Sequence, residues 1–166
     1  MTPTEPHDTF HRRQGEILGI SLNVEICLEE FISFYFLRMQ AEKICVFNDL
    51  ILFKMTFDRK ISLFEDICKH EKIYDAAIRD TIKTMNSVKD IRNKVAHFAS
   101  SYLQPSDDPK SAKILLQSRK SRLNVVKENL DVTEKLVQDI GKRYFSIIKE
   151  VAEVHNRLIE LEKKND

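Results

Sequence analysis

The sequence contains no tryptophan, three glycines and four prolines in 166 residues. A sandwich or barrel needs a tight turn every few residues, and glycine and proline build those turns, so their scarcity excludes a many-stranded β protein and leaves long helices. Cysteine is scarce too. Cys27, Cys45 and Cys68 stand far apart, odd in number and without a C-x-x-C pair, which argues against a disulfide framework or a zinc knuckle and fits a reducing compartment. Neither sign of charge dominates: 27 Lys and Arg against 26 Asp and Glu give a net charge of +1, unlike a basic nucleic-acid coat. No run of about 18 uncharged apolar residues occurs, and the first residues, MTPTEPHDTFHRRQGE, lack the apolar stretch of a secretory signal. The expected location is the cytoplasm, with no membrane partner.

What is present is an ordinary globular composition, 42% apolar and 32% charged, on a chain long enough to bury roughly 70% of its unfolded surface in one core. Pro3, Pro6 and small polar residues make residues 1–10 an expected flexible tail, followed by a single helical-bundle domain over 11–164. From Gln14 to Gln40, Ile17, Ile20, Val24, Cys27, Phe31 and Tyr35 recur at three and four residues, one face of a helix. Its end, Phe31 to Leu37 (FISFYFL), is apolar nearly all round and calls for cover from the core or from a second subunit. Cys45 to Lys54 reads as a short helix. Thr56 then offers an N-cap for a helix with Phe57, Ile61, Phe64 and Ile67 on one stripe, ending near Lys69 to Lys72.

A further helix starts near Tyr74 and carries Ile78, Met85, Val88, Ile91, Val95, Phe98 and Tyr102, about seven turns of helical spacing. Gln104 to Pro109 breaks the pattern. Lys113 to Ser118 and Leu123 to Lys127 are short aliphatic stretches that form either a small β-hairpin around 113–127 or an irregular arm. Asp131 and Glu134 make a capping-box-like start for a final helix of roughly thirty residues, striped by Leu136, Ile140, Ile147, Val151, Val154, Leu158 and Leu161. The expected fold class is all-α, an up-and-down helical bundle with long first, fourth and C-terminal helices.

One motif carries chemistry. In Ile91-Arg92-Asn93-Lys94-Val95-Ala96-His97-Phe98, the apolar Ile91, Val95 and Phe98 hold the core stripe, so Arg92, Asn93 and His97 point to solvent or a cleft. Asn93 and His97, four apart, lie nearly over one another, whereas Arg92 sits about 140° from His97 and must reach around the helix. Arg92-x-x-x-x-His97, with Asn93 after the Arg and Ala96 before the His, resembles the HEPN superfamily of small helical-bundle domains. The likeness extends loosely over Ile17 to Tyr102, including the lysine-bearing helix Asp58-Arg59-Lys60-Ile61. It implies a metal-independent endoribonuclease built as a homodimer, with one motif from each subunit meeting in a shared cleft, and no cofactor or metal. Some HEPN members instead lack activity and serve as dimerisation or regulatory modules.

The residue types suit that chemistry. RNA cleaves itself when its 2′-hydroxyl attacks the adjacent phosphorus, which requires a proton acceptor, a proton donor and positive charge on the phosphorane. His97 suits either proton role near neutral pH, Arg92 can grip two phosphate oxygens, and Asn93 can orient the imidazole or a phosphate oxygen. The resemblance further implies a role in stress response, phage defence or a toxin–antitoxin pair. Ala99 stands where toxins paired with nucleotidyltransferase antitoxins carry a modified tyrosine, so that mode of neutralisation does not carry over.

Lys94 adds charge beside the motif. Lys110, Lys113, Arg119, Lys120 and Arg122 form a stretch without acidic residues, a candidate track for an RNA backbone or a solvated arm. His7 and His11 stand at i, i+4 without a third ligand nearby. Cys68 and His70 diverge on their helix, as do Glu29 and Glu30. Phosphate-cradling glycine loops, G-x-S-x-G and H-E-x-x-H are absent.

Overall fold

A computed structural model of the chain describes residues 5–38, 40–103, 114–118 and 132–165, with side chains over 9, 11–38, 40, 42–96 and 132–164. Five helices dominate: α1 (Glu5–Leu37), α2 (Ala41–Leu50), α3 (Phe57–His70), α4 (Ala76–His97) and α5 (Glu134–Asn165), with a 3-10 turn at Leu52–Lys54 after α2. Helix α1 begins at Glu5, inside the stretch whose prolines suggest a tail. Pro6 falls in its first turn, where a missing amide donor breaks no helical bond.

The helix ends follow local chemistry. Thr56 accepts a bond from the Arg59 amide at 3.3 Å and starts α3. Its far end closes in a Schellman motif: the Ile73 amide bonds the Cys68 carbonyl at 3.0 Å and the Lys72 amide bonds the Lys69 carbonyl at 3.1 Å. Lys72 takes the left-handed conformation, φ 59°, that this motif demands. Asp75 accepts from the Ile78 amide at 3.0 Å and starts α4. For α5 the capping residue is Thr133, whose Oγ1 accepts from the Leu136 amide at 3.2 Å. The Asp131–Glu134 capping box is therefore not how α5 begins, and Asp131 lies outside the described residues.

Helix α4 stops at His97 rather than running to Tyr102. Phe98–Leu103 is strand β1, paired antiparallel with β2 (Ile114–Ser118) in the register Phe98↔Ser118 to Leu103↔Ile114, with an irregularity between Ser100 and Tyr102. The stretch Ile114–Ser118 thus pairs backward with Phe98–Leu103; its expected partner, 123–127, lies outside the described residues.

The chain divides into two compact units, Met1–Ser21 with Asp90–Lys142, and Leu22–Lys89 with Arg143–Asp166. In the first, Ile17, Val95, Val132, Val137 and Ile140 form the core, with Leu18, Ile20, Ile91 and Leu136 against it. In the second, stripes from α1 (Val24, Leu28, Phe31, Ile32), α3 (Phe57, Ile61, Phe64, Ile67), α4 (Ile78, Ile82, Met85, Val88) and α5 (Ile147, Val151, Val154, Leu158) converge. Phe31 and Phe64 meet edge to face, ring centroids 5.0 Å apart. The apolar FISFYFL segment is covered only in part, since Phe36 stays half exposed. No helix among the described residues is long and apolar enough to cross a membrane.

Candidate functional site

Arg92, Asn93 and Lys94 lie half-buried in the last turns of α4, in the first unit, and His97 is the residue at which that helix ends. The Arg92 guanidinium folds toward its neighbour and donates from Nη1 to Asn93 Oδ1 at 3.0 Å. This bond spends the Asn93 oxygen on holding Arg92 and leaves the Nδ2 protons to meet an acceptor, such as a phosphate oxygen or an imidazole nitrogen. The His97 side chain and Lys110, Lys113, Arg119, Lys120 and Arg122 fall outside the described residues.

The last four carbonyls of a helix have no partner within it. One of these on α4, Val95 O, accepts from Gln14 Nε2 of α1 at 3.0 Å, and Gln14 Oε1 lies 3.3 Å from His11 Nδ1. The segment His11-Arg12-Arg13-Gln14 is thereby tied to the end of α4 two residues before His97. Beside it, Arg13 donates to the Val132 carbonyl at 3.4 Å and lies 3.5 Å from Glu134, while Arg12 pairs with Glu16 at 3.2 Å and with Glu134 at 3.8 Å. Among the described residues, the first unit thus holds three arginines, from two helices. His11, the first residue past the expected tail, belongs to this arrangement. An H-R-R-Q run directly ahead of the first buried stripe residue, Ile17, is the signal that marks it.

The second unit contains two polar clusters that sequence patterning does not single out. Lys60, 2% exposed, places Nζ 2.5 Å from both Glu25 Oε1 and Glu29 Oε1, so a cation lies inside the core between two carboxylates one helical turn apart. Near the C-terminal ends of α1 and α3, the Tyr35 hydroxyl donates to Glu71 Oε1 at 2.6 Å and lies 3.2 Å from His70 Nδ1. Burial, then the bond to Glu71, pushes the Tyr35 hydroxyl up to about 12, and the same bond holds the Glu71 carboxyl below its usual range. Tyr35 therefore acts as a neutral donor that clamps two helix ends, and not as a nucleophile. A cavity of about 400 Å³ opens beside it, lined by Phe34, Tyr35, Arg38, Glu71 and Leu158 among others.

The two covered thiols offer no nucleophile either. Burial pushes Cys68 to about 12 and Cys27 to about 11, keeping both protonated at neutral pH, while Cys45 is exposed. Among the described residues no three of His, Cys, Asp and Glu gather as metal ligands. The Glu29–Glu30 and Cys68–His70 pairs do not act jointly: Glu29 binds Lys60, and His70 turns to Tyr35 and Glu71. No protein-family model matches the chain, and no curated protein or solved structure matches it.

Proposed function

We propose that the protein is a metal-independent endoribonuclease of HEPN type, acting as a homodimer that cuts RNA to 2′,3′-cyclic phosphate ends. The observation that carries this reading is the Arg92–Asn93 pair in the last turns of a helix that ends at His97. Arg92 would hold the scissile phosphate with its charged fork, Asn93 would orient an oxygen or the imidazole, and His97 would take or deliver the proton. The Gln14 bond to the Val95 carbonyl supports the reading by fixing the end of α4 from α1, two residues before His97. Lys94, Lys110, Lys113, Arg119, Lys120 and Arg122 are the proposed contacts to the RNA backbone, and the setting is stress response, phage defence or a toxin–antitoxin pair with a protein antidote.

The test is incubation of end-labelled RNA with the purified protein in chelator, comparing wild type with Arg92→Ala and His97→Ala. The expected outcome is cleavage with cyclic phosphate ends, reduced on the order of a hundredfold or more in either variant. Cleavage by His97→Ala at the wild-type rate sinks the proposal. A second reading, a catalytically silent dimerisation module that regulates a protein or RNA partner, is favoured by the apolar side chains that α2 leaves in solvent. It predicts no cleavage by any of the three proteins.

A further inference from the structure

Part of the apolar FISFYFL segment faces a cavity and not the core. Phe34, Tyr35 and Phe36 all line the space of about 400 Å³ at the end of α1, together with Leu158 and Leu161 of α5. Their rings are held in place by the protein itself. Phe34 lies against His155, centroids 3.8 Å apart, Tyr35 is fixed by its hydroxyl bond to Glu71, and Phe36 rests on Tyr35 at 5.1 Å and on Phe47 at 6.0 Å. The volume falls within the roughly 300–1,000 Å³ of small-molecule sites, and at about 30 Å³ per water-sized group it takes up to about a dozen non-hydrogen atoms.

Charge decides which molecules fit. Among the described residues, the charged groups of the lining are Arg38, Glu71 and Glu162, one guanidinium against two carboxylates. Arg38 and Glu162 answer each other, Nε lying 3.5 Å from Oε1 in a solvent-exposed pair. Glu71 is left over. The Tyr35 hydroxyl and His70 Nδ1 both meet its Oε1, at 2.6 and 3.0 Å, and the Tyr35 bond holds its carboxyl below the usual range, so Glu71 is ionised at neutral pH and Oε2 is not engaged by either. Asp66 and His70 line an adjoining hollow of about 340 Å³ that shares the Tyr35 and Phe36 walls; Asp66 adds negative charge on that side, and His70 adds positive charge only when protonated. Lys72, Glu160 and Lys163 neighbour these residues in sequence but are not part of the lining.

We propose that this cavity binds a small organic cation, a single ammonium on an apolar body of up to about a dozen atoms. The ammonium sits against Glu71 in a charge-assisted bond and over the aromatic wall, where a cation within about 6 Å of a ring centroid is attracted by the ring's negative face. The apolar body lies along Leu158 and Leu161. An anionic ligand would instead meet two carboxylates and a guanidinium that is already paired. Seated there, the cation covers the wall that Phe36 leaves half exposed, which is the cover the FISFYFL segment calls for. The site belongs wholly to the second unit and does not depend on the nuclease reading.

Titration of the isotope-labelled full chain with phenethylammonium, 3-phenylpropionate and 2-phenylethanol, followed by amide NMR shifts, tests the inference, because the probes share a phenyl ring and differ in head-group charge. Phenethylammonium should give saturable shifts centred on residues 34–38, 71 and 158–162, with a dissociation constant on the order of 1 mM or below. The alcohol and the anion should bind at least tenfold more weakly. Glu71→Gln keeps an acceptor for the Tyr35 hydroxyl and should weaken the amine at least tenfold, as expected for loss of a hydrogen bond to a charged group. Arg38→Met removes the competing cation, releases Glu162 and should tighten the amine several-fold, a gain that loss of structure cannot produce. Shifts that stay linear well beyond millimolar amine overturn the proposal, and so does Glu71→Gln binding at wild-type affinity. An anion that binds as well as the amine assigns the cavity to Arg38 and overturns it too.

Discussion

Replacing Lys60 by methionine keeps the length and most of the volume of the side chain but removes its charge, and the structure sets the size of the consequence. Glu25 Oε1 and Glu29 Oε1 each lie 2.5 Å from the ammonium, so they are at most twice that, 5.0 Å, from one another. Without the cation, two carboxylates at that separation repel by about 3 kcal/mol at an effective dielectric constant near 20. Breaking a buried ion pair by removing one partner costs about 3–5 kcal/mol. For a chain of this size the expected fall in Tm is roughly 6–20 °C. Urea unfolding followed by far-UV circular dichroism, with an unchanged m value, is the assay. The triple variant Lys60→Met, Glu29→Leu, Glu25→Gln removes all three charges and should recover most of the loss, because the cost arises from unpaired charge and not from missing volume. The reasoning fails if Lys60→Met costs less than about 1 kcal/mol, or if the triple variant is no more stable than the single one.

Two further changes probe the junction between α3 and α4. Asp75→Ala removes both the cap on the Ile78 amide and the 2.7 Å ion pair with Arg157, and should cost about 1–2 kcal/mol, most of it from the cap because the pair is exposed. The Ile78 amide, then Arg157, hold the Asp75 carboxyl below its usual range, so its contribution is complete above the unfolded-state pKa and is lost as pH falls through the lower folded value. Thermal melts should therefore show wild type and Asp75→Ala converging below about pH 4, and a gap that persists at pH 2 contradicts the assignment. Lys72→Gly should raise stability by roughly 0.5–1 kcal/mol, because glycine adopts the left-handed conformation at φ 59° without the steric cost a lysine bears. A Tm at or below that of wild type would show that Lys72 supplies some other contact.

The helical stripes are legible because their spacing is local. Ile147, Val151, Val154 and Leu158 are buried as their periodicity requires, and so are Phe57, Ile61, Phe64 and Ile67. The end of α4 is not legible for the same reason. Phe98 and Tyr102 stand three and seven residues after Val95, so helical spacing alone carries the pattern past His97. What stops the helix is pairing with Ile114–Ser118, a partner that lies across the Gln104–Pro109 break and leaves no trace in the periodicity. Helix ends hide the same kind of information. Gln14 matters because it satisfies a carbonyl that α4 leaves open, and that need becomes visible only once α4 is known to end at His97.

Lys60 was legible in principle, through an argument about cost and not about pattern. It stands three residues after Phe57 and one before Ile61, within the inward-facing stripe of α3, and an ammonium cannot be buried there alone. The sequence therefore demands an acidic partner on a facing stripe. Glu25 and Glu29 meet the requirement: each directly follows an inward-facing residue, Val24 and Leu28, and they are spaced by one helical turn so that both reach the same point. Had the partner been a single carboxylate, the charges would balance but the ammonium would keep donors unsatisfied in a dry interior. The second acid takes one of them at the expense of a net negative charge in the core, which the partly open end at Glu25, 16% exposed, lets water offset.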